Sequence, residues 1–195
     1  MRGVERMKTP PTNKKQKIVC IGLPKTGTLS LCHALKKLGF STKHGGLYSC
    51  SEEKIKKVLN KKDAIVEIYG LIDFEKIKEW FPDARLIWTK RKLETWLVSC
   101  ERQFGHHRKI SEYIKHGRER RFGQAYFDEE LFEEIFLNFN KRVEDYKALR
   151  PSENILEMDI TKGDGYEKLC PFLDVPLPFP EFPHKNKSHI KKPSK

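Results

Sequence analysis

No apolar run in the 195 residues approaches the length of a membrane span, and the opening MRGVERMKTPPTNKKQK holds no hydrophobic segment of signal-peptide type. Cysteine is sparse and odd in number. Cys20, Cys32, Cys50, Cys100 and Cys170 stand far apart, with no C-x-x-C among them. That pattern offers neither a disulfide framework nor a zinc-ribbon ligand set, and reduced thiols in a cytoplasmic protein fit it best. His106, His107 and His116 also lack ligand spacing with cysteines or acids, so no metal is expected. No Gly-Lys-Ser or Gly-Lys-Thr occurs anywhere, which removes the Walker A phosphate loop. There is no internal repeat.

The net charge of +12 points first to nucleic acid, but its distribution points away. Eleven of the 39 Lys and Arg fall in residues 1–17 and 184–195, against a single acid. Between them 28 bases face 26 acids. The expected organisation is a disordered basic tail over 1–16, one α/β domain over 17–187 and a second basic tail over 188–195. A specific nucleic-acid partner is not expected. Tails that do bind nucleic acid are a separate reading, marked by a steep salt dependence lost on trimming.

The chain is organised around residues 17–39, KIVCIGLPKTGTLSLCHALKKLG. Ile18–Ile21 is an apolar run suited to a strand buried on both faces. Gly22 to Thr28 then turns the chain, and Leu31, Cys32, Leu35 and Leu38 give a helical face stopped by Gly39. Strand, glycine-bearing loop and helix together aim backbone N–H groups and a positive dipole end at a phosphate, and Lys25 adds a full charge.

Further elements follow in alternation. Strands are expected at 41–44, 63–69 (DAIVEIY), 85–89 (RLIWT) and 154–159 (NILEMD). Helices are expected at 51–60, 73–81, from Leu93 past Cys100, at 128–149 and at 165–173. The helix over 128–149 is the clearest, with Leu131, Ile135, Phe139, Val143 and Tyr146 on one face. Residues 105–126 are basic and poorly periodic, and read as a helical excursion or lid. The result is a three-layer α/β domain, with a central parallel sheet of about five strands and helices on both faces.

Leu23-Pro24-Lys25-Thr26-Gly27-Thr28 resembles the 5′-phosphosulfate loop of sulfotransferases, [YFL]-P-K-[ST]-G-T. A strand–loop–helix recurs at RLIWTKRKLETWLVSCERQ. There Arg91 and Ser99 match the family's arginine and serine, eight residues apart, that hold a 3′-phosphate. The small soluble subfamily is the nearest likeness, although its usual T-x-R-D-P is here Thr89-Lys90-Arg91-Lys92-Leu93. The C-terminal PSENILEMDITKGDGYEKLCPFLDVPLPFPEFPHKNK is similar to the family's ending, in which a strand and helix lead to F-P-x-x-N. The resemblance runs from residue 17 to residue 187. The absence of a hydrophobic N-terminus is expected to separate the chain from Golgi-anchored members.

The resemblance implies a P-loop NTPase-like form of the α/β fold, a 3′-phosphoadenosine 5′-phosphosulfate (PAPS) donor, adenosine 3′,5′-bisphosphate as product, and a small-molecule or carbohydrate acceptor. It assigns Pro24, Lys25, Thr26, Gly27, Thr28, Leu29, Ser30, Arg91 and Ser99 to the nucleotide, and Lys25 also to catalysis. Permanent bidentate charge on Arg91 and a hydroxyl from Ser99 suit a phosphate. Glu67, a carboxylate in an otherwise apolar strand, is the first candidate base, or else an ion-pair partner. His44 beside Gly45-Gly46 is the second. Other readings are a catalytically degenerate nucleotide-binding module and a small-molecule kinase. No Walker B-like acid follows the loop. The acceptor pocket is expected from residues 44–50, the lid and the proline-rich tail.

Overall fold

Five short apolar runs pair side by side into one parallel sheet. The computed structural model describes residues 16–47, 50–69, 72–107, 109–153, 155–178 and 181–184. Both basic tails therefore lie outside the described residues, apart from Gln16, as does the end of the F-P-x-x-N segment. The strands are β1 (Ile18–Cys20), β2 (Thr42–His44), β3 (Ala64–Val66), β4 (Arg85–Thr89) and β5 (Ile155–Met158). They lie in the order β2-β3-β1-β4-β5, every pair parallel.

Side chains alternate across the sheet and build two cores. Val19, Ile65, Leu86 and Trp88 face one, which also takes α2 (Glu52–Lys61), α3 (Phe74–Trp80), α4 (Leu93–Phe104) and α6 (Glu129–Leu149). Ile18, Cys20, Val66 and Ile87 face the other, against α1 (Thr28–Lys37) and α7 (Tyr166–Leu173). Helices thus cover both faces in three layers, as the alternating sequence pattern predicts. Phe132, buried on α6 beside Phe104 and Phe122, joins the first core although it lies off the expected stripe. The lid segment forms α5 (Glu112–Phe122), capped by Ser111 and ended by Gly123 at φ 82°. Among the described residues no helix is long and apolar enough to cross a membrane. All five cysteines are unbridged, four of them buried.

Boundaries move by a residue or so, with one consequential exception. The third strand stops at Val66, not at Tyr69. Glu67 follows with φ 68°, a left-handed conformation that breaks strand alternation. The carboxylate therefore stands at the C-terminal edge of the sheet and not inside a strand. The same edge receives the loop after β1, His44 at the end of β2, Arg91 after β4 and Ile160 after β5. With β3 and β4 on opposite sides of β1, this edge carries the switch point where open α/β sheets bind ligands.

Candidate active site

The loop between β1 and α1 is fixed from behind. Gly22 passes so close to β4 that a Cβ there would stand 1.9 Å from Thr89 Oγ1, so only glycine fits. Thr26 Oγ1 donates to the Leu23 carbonyl at 2.6 Å and lies 2.6 Å from Thr89 Oγ1, which leaves the Thr89 hydroxyl as donor in that second bond. The Trp96 indole donates to the Pro24 carbonyl at 2.7 Å, and Arg91 Nη1 to the Lys25 carbonyl at 2.9 Å. Gly27 turns into α1 at φ 96°. The loop's carbonyls are held by the protein, while the first N–H groups of α1 have no intrahelical acceptor. Such an arrangement receives an anion without rearranging.

A cleft of about 1190 Å³ opens over this edge. One side of it is formed by Lys25, Thr28 and Ser30 from the loop and α1, and by Arg91, Thr95 and Ser99 from the β4–α4 segment. Arg91 is drawn in by its bond to the loop and by Thr95 Oγ1 at 3.2 Å. Burial lowers the affinity of its guanidinium for a proton, and an incoming anion restores it.

On the far side Glu67 joins three elements. Its Oε2 accepts from Thr28 Oγ1 at 2.8 Å and lies 3.3 Å from His44 Nε2. Its Oε1 pairs with Arg121 Nη1 of α5 at 3.0 Å. His44 Nε2 also lies 3.3 Å from Thr28 Oγ1. The Thr28 proton goes to Glu67, so Nε2–H donates towards both oxygens and the Nδ1 lone pair is the one available to accept. Burial alone would push the Glu67 carboxyl up. Hydrogen bonding from His44 and Thr28 and the charge of Arg121 outweigh it, and hold the carboxyl at about 2. Glu67 is thus a fixed anion at neutral pH.

A family model described as "Sulfotransferase domain" matches residues 17–190. The chain belongs to the sulfotransferase family. "Ava biosynthesis cluster protein M" of Aspergillus versicolor is 25% identical over 213 aligned residues, covering 86% of this chain and 80% of that protein.

In this member of the family the cleft gathers most of the residues singled out by sequence. Pro24, Lys25, Gly27, Thr28, Leu29, Ser30, Arg91 and Ser99 line it, together with His44 and Glu67. Thr26 does not. Its side chain is buried behind the loop, where it shapes the site from outside the cleft. Of the expected acceptor segments, His44, the lid and His184 reach the cleft, whereas Tyr48 and Ser49 lie outside the described residues. Among the described residues no group of three or more His, Cys, Asp or Glu has the geometry to hold a metal ion.

Sequence reasoning passed over several residues. Arg121 and Arg118 sit in the lid, where basic residues with weak periodicity suggest solvated positions, yet both are buried. Arg118 donates to the carbonyls of Ala125 and Gln103, and Arg121 Nε to that of Tyr69. Thr161, Lys162 and Gly163 line the cleft directly after β5. Their position past a strand's C-terminal end is the signal that marks them. Trp96 falls on an apolar stripe and reads as core, which it is. Its ring N–H has the second task of anchoring the loop.

Proposed function

We propose that this protein transfers a sulfuryl group from PAPS to a hydroxyl or amine of a small-molecule acceptor. The observation that carries the reading is the meeting of the Lys25 loop and the Arg91/Ser99 pair in one cleft with His44 and Glu67. The donor set fits the nucleotide: helix N–H groups and Lys25 suit the 5′ end, and guanidinium and hydroxyl suit a 3′-phosphate. Unbridged thiols suit a cytoplasmic setting.

The donor supplies an activated sulfuryl group. The acceptor oxygen or nitrogen forms a bond to sulfur, the bond from sulfur to the bridging phosphate oxygen breaks, and one acceptor proton leaves. Lys25 and the loop amides meet the charge that builds on the departing oxygen. His44 takes the proton at Nδ1. Glu67, at about 2, is too weak a base for that step. It holds the imidazole by Nε2–H and favours the cation that forms, as an orienting carboxylate does in other acid–base pairs. Thr28 and Arg121 fix the carboxylate in turn.

The test is release of adenosine 3′,5′-bisphosphate from PAPS with a panel of phenols, alcohols and amines. Acceptor-dependent release is expected. Nucleotide binding without release with any acceptor would leave a binding module. His44→Gln should lower kcat strongly with nucleotide affinity kept, and Glu67→Gln should lower it less. The reverse pattern would make Glu67 the base.

A further inference from the structure

One face of α5 looks into the cleft. Tyr113, Ile114, Gly117, Arg118 and Arg121 stand at i, i+1, i+4, i+5 and i+8, a single helical stripe, and all five line it. The stripe changes character along its length. At the inner end Arg121 holds Glu67 beside His44. At the outer end Tyr113 and Ile114 are 64% and 45% exposed, large apolar surfaces left uncovered inside a concave site. Eight residues separate the ends, about 12 Å along the axis.

Gly117 lies midway and is buried. It sits within a regular helix, and its φ is not among the positive values, so the backbone does not require glycine there. A glycine inside a helix costs about 0.5–1 kcal/mol relative to alanine. Gly117 lines the cleft one turn from Tyr113 and one turn from Arg121, so it belongs to the same face of α5 as they do. Phe104 and Phe122, with centroids 5.2 Å apart, add aromatic lining. The Arg118 guanidinium lies over the Phe104 ring and donates to two backbone carbonyls.

We infer that Gly117 is a specificity-determining residue, and that the acceptor is a flat, ring-bearing alcohol or amine lying over it and against Tyr113 and Ile114. This inference rests on the sulfotransferase reading above. The apolar stretch covers ring faces, and the inner end receives the one polar group that reacts. A sugar carries hydroxyls around its whole edge. Against Ile114 and the two phenylalanines these would lose water without gaining partners.

The experiment is calorimetric and needs no turnover. Adenosine 3′,5′-bisphosphate is titrated first, then 2-naphthol or N-acetylglucosamine into the nucleotide complex. Naphthol should bind and the sugar should not. Gly117→Val should weaken naphthol about tenfold or more, the scale for added methyl groups in an apolar pocket. Nucleotide affinity should stay within about twofold, since every residue assigned to the nucleotide lies outside α5. Tyr113→Ala, an exposed position that leaves the core intact, should weaken naphthol by a smaller factor. Sugar binding in place of naphthol, or naphthol affinity unchanged in both variants, would overturn the inference. Failure of the wild type to bind the nucleotide would instead overturn the reading beneath it.

Discussion

Arg121 Nη1 lies 3.0 Å from Glu67 Oε1, and with side chains 5% and 12% exposed the two form a nearly dry ion pair. The bond ties the lid helix to the edge of the sheet. Removing one partner from a buried pair leaves an uncompensated charge, which costs about 3–5 kcal/mol. Arg121→Met should therefore lower the urea midpoint markedly. Arg121→Met with Glu67→Gln should recover much of the loss, and a strictly additive double variant would mean that the pair is not coupled.

The Glu67 carboxyl also makes a pH prediction. Its pKa is depressed on folding, from an ordinary 4.5 to about 2. The group's stabilisation is then complete above about pH 4.5 and is lost as pH falls towards about 2. The gap in unfolding free energy between wild type and Glu67→Gln should narrow across that window, by roughly 3 kcal/mol. A gap constant from neutral pH to about pH 2 would contradict the depressed value.

Arg91 and Ser99 should make the 3′-phosphate count. Adenosine 3′,5′-bisphosphate is expected to bind more tightly than 5′-AMP, and Arg91→Ala should erase about 1.5–3 kcal/mol of that preference. Equal affinity for the two nucleotides in the wild type would remove the assignment.

Lys25 separates binding from turnover. The first-turn N–H groups of α1 still face a 5′-phosphate when the lysine is gone, so nucleotide affinity should fall only modestly in Lys25→Ala. Turnover should fall by about 10²–10³, the scale for one donor aimed at developing charge. Unchanged kcat would mean that the loop does not meet the departing oxygen.

Much of this was legible in the sequence, because the fold rests on patterns that periodicity reports well. Ile18–Ile21 and RLIWT read as strands because both faces of the sheet are covered. The loop was legible because Gly22 and Gly27 are each required by a close approach, to Thr89 and to Ile160. Glu67 was misplaced by two residues' worth of pattern. Ile68 and Tyr69 prolong the apolar run, and nothing in the letters signals a left-handed turn at a glutamate. The lid was opaque for a different reason. Its inward stripe is shaped by a cleft and by two arginines held on backbone carbonyls and on Glu67, so it lacks the apolar periodicity that a core-facing helix shows.

Two non-glycine residues of the site, Lys25 and Glu67, share φ 68°, and Asp174 is the only other such residue described. A side chain in that region stores about 1–2 kcal/mol of conformational strain. At Glu67 a glycine would release this strain but leave Arg121 buried without its carboxylate, a larger loss. At Lys25 a glycine, which adopts the angle freely, releases the strain and deletes only the charge that the loop presents, so thermal tolerance and catalytic competence are set against each other there. A library selected for heat resistance alone should drift towards glycine or asparagine at residue 25, and lose turnover as it does so.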